Sequence, residues 1–322
     1  MFVLLLVILV SLGAITLGAE FLVRGSSRLA LRAGVSSLFV GLTVVGFGTS
    51  SPELGASLTA TLRQSSDVAL GNVVGSNIFN ICLILGLTAL FKPIRVQIAA
   101  VRRDLIVAVG AALVPWLALP FAGYIPRPVG FVLVALLAAY VAAAYRSARK
   151  AGADDVQLIE QELAPSLRQV RGAVARDIAF VVLGLGLLVL GSRGFVDSAI
   201  TIARQFGWSE LLIGLTLVSA GTSLPELFTS LVAMKRGNTD IAVGNVIGSN
   251  IFNSFGIVGV CAAVSPQVVN ASLTMRDTPV LLLATLALVP IMRSGGQISR
   301  IEGGLLLGAY VAYVIVLFSM GG

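Results

Sequence analysis

Glu53 and Glu226 are the two acids whose setting demands chemistry. Each lies well inside a long apolar run, in the local patterns GFGTSSPE and SAGTSLPE. A carboxylate at that depth is expensive to keep ionised and calls for a function. No Lys or Arg stands close enough in either run to be an obvious partner. Two such acids brought to one place would repel, and one would take up a proton. A bound cation removes both costs; the competing reading is a structural carboxylate paired with a buried base. The residue before each acid is a proline. Pro52 and Pro225 have no N–H, so within a helix the carbonyls of Gly48 and Gly221 lose their partners, and those of Thr49 and Thr222 are expected to loosen. Inside a bilayer such oxygens need another partner, and a metal ion is one. Thr49 and Glu53 are four residues apart and share a helix face.

A second polar pattern follows each acid. Asn72, Ser76 and Asn80 are spaced by four, as are Asn245, Ser249 and Asn253. Asn72, Asn245 and the glycines at 71, 75, 244 and 248 read as close helix packing and interhelical hydrogen bonding. Ser76, Asn80, Ser249 and Asn253 read as facing the same site as the acids. Every candidate ligand is an oxygen, the set preferred by hard cations such as Ca²⁺ and Na⁺. Two negative charges match one Ca²⁺ or two Na⁺, and mutual exclusion at one site is the physical basis of exchange.

The elements that must position these residues come in two copies. Gly41–Asn80 recurs as Gly214–Asn253 at an offset of 173, and from Gly34 and Gly207 onward 28 of 47 positions are identical without a gap. One device is built twice into one chain. Of 322 residues, 57% are hydrophobic and 11% charged, against about 25% charged in soluble domains, so lipid is the expected solvent. Apolar runs at 2–23, 36–62, 68–91, 102–120, 129–146, 177–200, 208–234, 240–264, 279–292 and 303–320 read as membrane-spanning helices, since a span takes about 20 residues. This predicts an all-α integral membrane protein with ten helices, five (1–146) on one side of a polar 147–176 linker and five (177–322) on the other. On that topology 17 of the 22 Lys and Arg fall on one side, which is then cytoplasmic. The linker lies inside and both termini outside. An odd number of crossings per half inverts the second copy relative to the first, a transporter architecture with its site near the midplane. Glu20–Arg24 and Arg193–Asp197 are expected to close as pairs across one helical turn. The chain has no His, which excludes Ser-His and Cys-His catalysis and imidazole metal sites; no enzyme activity and no cofactor are expected. Cys82 and Cys261 read as small core residues.

GTSxPE followed by GSNIFN, twice over, resembles the α-repeats of the cation/calcium antiporter superfamily, specifically the sodium/calcium exchangers. The likeness covers the layout of the whole chain. It implies two inverted five-helix repeats with helices 2, 3, 7 and 8 broken, alternating access, and a diamond of ion sites between the broken helices. A single chain in the bilayer then suffices for transport. By motif, Glu53, Glu226 and the carbonyls of Thr49 and Thr222 resemble calcium ligands. Ser50, Ser223, Ser76 and Ser249 resemble contributors to flanking sodium sites, and Asn80 and Asn253 the central polar pair. Two departures stand out. Asn253 is an amide where many exchangers carry Asp, so it neither titrates nor supplies charge. Gly46 and Ser219 stand where Ala is common, and Ser219 adds a hydroxyl near one sodium site.

Other readings remain. A proton-coupled calcium exchanger shares Asn at both central positions but usually lacks the Gly-Thr-Ser-x-Pro-Glu turn. A potassium-dependent exchanger is weakened by the missing Asp. A cation channel conflicts with an internal inverted repeat, and an intramembrane protease with the absence of paired aspartates within spans.

Overall fold

The computed structural model describes residues 2–96, 98–162, 171–206, 219–293 and 296–320. Among them, eight helices are long and apolar enough to cross a membrane. In chain order the elements are α1 (Phe2–Ala33), α2 (Ser37–Thr49), α3 (Ser51–Leu62), α4 (Ser66–Phe91), β1 (Ile94–Arg95), α5 (Ile98–Phe121), β2 (Tyr124–Ile125), α6 (Arg127–Glu162) and α7 (Arg171–Gln205). They continue with α8 (Ser219–Thr222), α9 (Leu224–Lys235), α10 (Thr239–Val264), β3 (Gln267–Val268), α11 (Leu273–Arg293), β4 (Gln297–Ile298) and α12 (Arg300–Met320).

Several helices outrun the apolar runs that announce them. α1 continues to Ala33, so Arg24, Arg28 and Arg32 form a stripe along it rather than opening a loop. The segment expected as a linker is entered by α6, which runs on to Glu162, and left by α7, which begins at Arg171; residues 163–170 lie outside the described residues. So do residues 208–218 of the seventh expected span.

The chain divides into two compact units, and each draws segments from both sequence halves. The first comprises Met1–Thr49 and Ala138–Asn245. Within it α1 lies along α7 over much of its length. Ile15, Ala19, Leu22 and Leu188 have no exposed surface, and the Phe21 and Phe180 rings stack at 5.3 Å. At one end Asp177, fully buried, accepts from Arg32 Nε at 2.8 Å, with Arg28 at 3.6 Å and Arg176 at 3.9 Å. The expected Glu20–Arg24 pair is present at 2.7 Å, and Arg236, just after α9, also binds Glu20, its Nε 2.8 Å from Oε2. Arg193 and Asp197, expected to pair in the same way, form no ion pair among the described residues.

The second unit comprises Ser50–Leu137 and Val246–Gly322. Here α3 packs on α4, α12 on the later half of α4, and α11 on α5. Two short antiparallel ladders tie its loops: Ile94 opposite Ile298, and Tyr124 opposite Val268. Adding 173 carries β1 onto β3 and β2 onto β4, so the internal repeat extends well beyond the near-identical stretch. Its helix contacts follow the same rule. A Cβ on Gly86 would come within 2.9 Å of the Gly303 carbonyl oxygen, and one on Gly130 within 2.7 Å of the Gly259 carbonyl oxygen. Those positions, too, are related by 173, and only glycine permits backbones to approach so closely.

Burial separates two helices from the rest. In the most apolar window of α4, 78% of residues are buried, and in α10, 83%, against 22% in α1 and 11% in α12. A helix apolar all round and mostly buried is a core element; α4 and α10 are the two that carry the asparagine stripes.

Candidate functional site

The helix that begins at Ser37 stops at Thr49. Ser50 takes φ −80°, ψ 8°, and α3 begins at Ser51 with Pro52 in its first turn. Ser223 repeats this at φ −90°, ψ 6°, before α9 and Pro225. A proline at a helix start loses no hydrogen bond, because that N–H would have had no helical partner. Each proline therefore restarts a helix, and Glu53 and Glu226 fall in the first turns of the new ones. Carboxylates are favoured at a helix N-terminus, and the carbonyl end of the preceding helix favours a cation. Both acids have no exposed surface. So do Thr49, Ser50, Ser76, Asn80, Ser223, Ser249 and Asn253; Thr222 alone among the candidates is half-buried.

In the first unit Thr49 is brought to the helix of Glu226. Its hydroxyl lies 3.1 Å from Asn245 Oδ1, while Asn245 Nδ2 donates to the Glu226 carbonyl at 3.1 Å and to Ser230 Oγ at 3.0 Å. Thr222 and Ser223 directly precede that turn. The freed carbonyl of Gly221 departs from expectation: it accepts from the Ser192 hydroxyl, so the protein satisfies it and no ion is required there. Sequence reasoning missed Ser192. Its counterpart 173 residues earlier is Ala19, so the repeat carried no signal for it.

In the second unit Asn72 holds the Glu53 turn as Asn245 holds that of Glu226. Its Nδ2 donates to the Glu53 carbonyl at 3.3 Å and to Ser57 Oγ at 3.0 Å. The packing role expected for Asn72 and Asn245 is thus borne out, with Ser57 and Ser230 as unforeseen partners that identity across the repeat would have flagged. The second unit also joins Asn80 and Asn253 through two residues not singled out from the sequence, Asn77 and Asn250. Asn80 Nδ2 donates to Asn250 Oδ1, and Asn253 Nδ2 to Asn77 Oδ1, each at 3.0 Å. Here α4 and α10 leave α-geometry for π-helical segments, Phe79–Leu85 and Phe252–Ile257. Such bulges recur at functional sites.

Among the described residues no group of three or more His, Cys, Asp or Glu is placed to hold a metal ion by itself. The donors are carboxylates, amide oxygens, hydroxyls and main-chain carbonyls held in an apolar interior. With eight helices long and apolar enough to cross a membrane, that combination marks a multi-pass membrane protein whose buried oxygens are of the kind hard cations prefer.

Comparison with known proteins makes the assignment specific. The family model for "Sodium/calcium exchanger protein" matches residues 3–146 and 177–319, and the chain belongs to that family. It is 33% identical to the sodium/calcium exchanger MaX1 of Methanosarcina acetivorans, over 97% of this chain and 98% of that one. It is 35% identical to the inner membrane protein YrbG of Escherichia coli, over 97% and 95%. The structure of the sodium-calcium exchanger NCX_Mj soaked with 2.5 mM Na⁺ and 10 mM Sr²⁺ matches it with a TM-score of 0.83 at 29% identity, covering 98% of both chains.

Proposed function

We propose that this chain exchanges calcium for sodium across a cell membrane by alternating access. The observation that carries the reading is the matched pair of Glu53 and Glu226. Each is completely buried in the first turn of a helix restarted after an interruption, and each turn is clamped by an asparagine at the same repeat position. A Ca²⁺ ion neutralises two carboxylates, and so do two Na⁺. Either load makes the buried acids tolerable, whereas empty acids repel and resist a conformational change through lipid. In this scheme Glu53, Glu226 and the Thr49 and Thr222 carbonyls hold calcium. Ser50, Ser223, Ser76 and Ser249 contribute to sodium binding, with Asn80 and Asn253 between.

The same reading takes the chain as ten helices in two inverted halves, 1–146 and 177–322, with helices 2, 3, 7 and 8 broken and 147–176 cytoplasmic. The ladders support it. β1 and β4 lie in loops that the charge count assigns to one side of the membrane, and β2 and β3 in loops assigned to the other. Both termini are then extracytoplasmic.

The test is uptake into proteoliposomes. An outward sodium gradient drives calcium entry, and Glu53→Gln or Glu226→Gln abolishes it. Uptake that follows a pH gradient and ignores sodium would transfer the chain to proton-coupled exchange; flux indifferent to the opposing ion would make it a channel.

A further inference from the structure

We propose that Asn77 and Asn250 are positioning residues that fix the sense of the Asn80 and Asn253 amides, so that each offers oxygen rather than NH₂ to the transported cation. The proposal rests on the exchanger reading above, and all four asparagines belong to the second unit.

Two main-chain carbonyls, which can only accept, set the pattern. Asn77 Nδ2 faces the main-chain carbonyl of Asn250 at 3.4 Å, and Asn250 Nδ2 faces that of Asn77 at 3.2 Å. A carbonyl oxygen accepts and never donates, so it dictates which end of the facing amide is nitrogen. The amides of Asn77 and Asn250 are thereby locked, with each Oδ1 at the opposite end. Those oxygens accept from Asn253 Nδ2 and Asn80 Nδ2, both at 3.0 Å. Turning either outer amide over would set oxygen against oxygen. The sense of the second pair follows from the first: nitrogen toward the ring, oxygen away from it. Asn80 Oδ1 and Asn253 Oδ1 are indeed buried and accept no hydrogen bond from the protein. A buried carbonyl oxygen with no protein donor is costly unless a cation or a water meets it, and either leaves the oxygen facing the path an ion would take. An amide presenting NH₂ would repel the ion that the same amide, reversed, would hold.

The ring is crossed between the repeats. Asn77 of the first positions Asn253 of the second, and Asn250 of the second positions Asn80 of the first. Asn77 Nδ2 also reaches Ser254 Oγ at 2.9 Å, a hydroxyl that holds the amide in place without deciding its sense, since it can donate or accept; the counterpart of Ser254 in the first repeat is Ile81.

The experiment is a pair of double-mutant cycles on the full chain in proteoliposomes. Half-saturating calcium and maximal rate of sodium-driven uptake are measured separately. Asn77→Ala and Asn253→Ala are each expected to raise half-saturating calcium about tenfold, the scale of one oriented polar contact, with a smaller effect on maximal rate. The crossed double variant, Asn77→Ala with Asn253→Ala, is expected to be no worse than Asn253→Ala alone, since nothing remains to be positioned. Asn77→Ala with Asn80→Ala is expected to multiply. Should any alanine variant fail to fold, serine takes its place; it keeps a buried polar group but is too short to complete the ring. A crossed pair whose effects multiply overturns the proposal, as do losses of maximal rate with unchanged half-saturation, which mark a packing role alone. Glu53→Gln is run alongside. If it retains uptake, the exchanger site itself is misassigned; if it loses uptake while the crossed pair multiplies, only the positioning role falls.

Discussion

Replacing Asn245 by alanine should cost more than replacing its repeat counterpart Asn72, and the difference can be worked from the bonds each makes. Asn245 is fully buried and engages both ends of its amide, with Thr49 Oγ1 at 3.1 Å, the Glu226 carbonyl at 3.1 Å and Ser230 Oγ at 3.0 Å. Asn72 is half-buried and makes two bonds, at 3.3 and 3.0 Å, both from its nitrogen. At about 1 kcal/mol net per hydrogen bond, Asn245→Ala loses about 3 kcal/mol and Asn72→Ala about 2 kcal/mol, with deeper burial widening the gap. Thr49→Val, which removes one hydroxyl at nearly constant shape, should cost about 1 kcal/mol alone and less on top of Asn245→Ala, where only its weaker bond to the Gly46 carbonyl at 3.2 Å remains to be lost. Thermal unfolding of the purified protein, without calcium, ranks the four variants. Equal losses at the two asparagines, or a Thr49→Val loss as large in the Asn245→Ala background as in the parent, would refute the hydrogen-bond reasoning.

Two further outcomes follow from the first unit. Ser192→Ala removes the donor to the Gly221 carbonyl and is expected to lower stability by about 1–3 kcal/mol, the penalty of an unsatisfied buried carbonyl, as read by the same unfolding assay. Arg32→Gln is expected to cost about 2 kcal/mol, because it uncovers an Asp177 with no exposed surface. Arg24→Gln, whose side chain is 43% exposed beside Glu20, should cost under about 1 kcal/mol. Raising the salt should erase the Arg24 effect and leave most of the Arg32 effect.

The acids, the prolines and the asparagine stripes were legible because they are near-identical in two places, and a repeated oddity in an apolar run is hard to explain by packing. Helix ends were less legible. The expected first span stopped at Arg24 because a charge normally marks the membrane boundary, yet the arginines at every fourth position keep the helix going to meet a buried Asp177 on α7. The reach of the repeat was under-read for another reason. Ile94–Arg95 and Gln267–Val268 occupy equivalent strands with unrelated residues, since a two-residue ladder is held by main chain and leaves side chains free to vary. Gly86 with Gly259, and Gly130 with Gly303, did carry the signal, because close backbone approach tolerates nothing larger. Ser192 was invisible: its counterpart is Ala19, and only the fold puts its hydroxyl over the Gly221 carbonyl.

Spacing alone treats the asparagines of α4 and α10 as one uniform set of ligands, and hydrogen bonding divides them. Asn245 engages its oxygen and its nitrogen within the protein, and Asn72 ties down the turn that carries Glu53; both are framework. Asn77 and Asn250 engage both ends as well, and in doing so decide which end their neighbours must turn inward. Among them only Asn80 and Asn253 are left with a buried oxygen that accepts nothing from the protein. In water that distinction would carry little weight, since solvent would complete every amide. In a protein interior completion has to come from a bound ion or a held water, so the residue whose oxygen the protein leaves open is the one equipped to meet a cation, and the others are the means by which it is kept open.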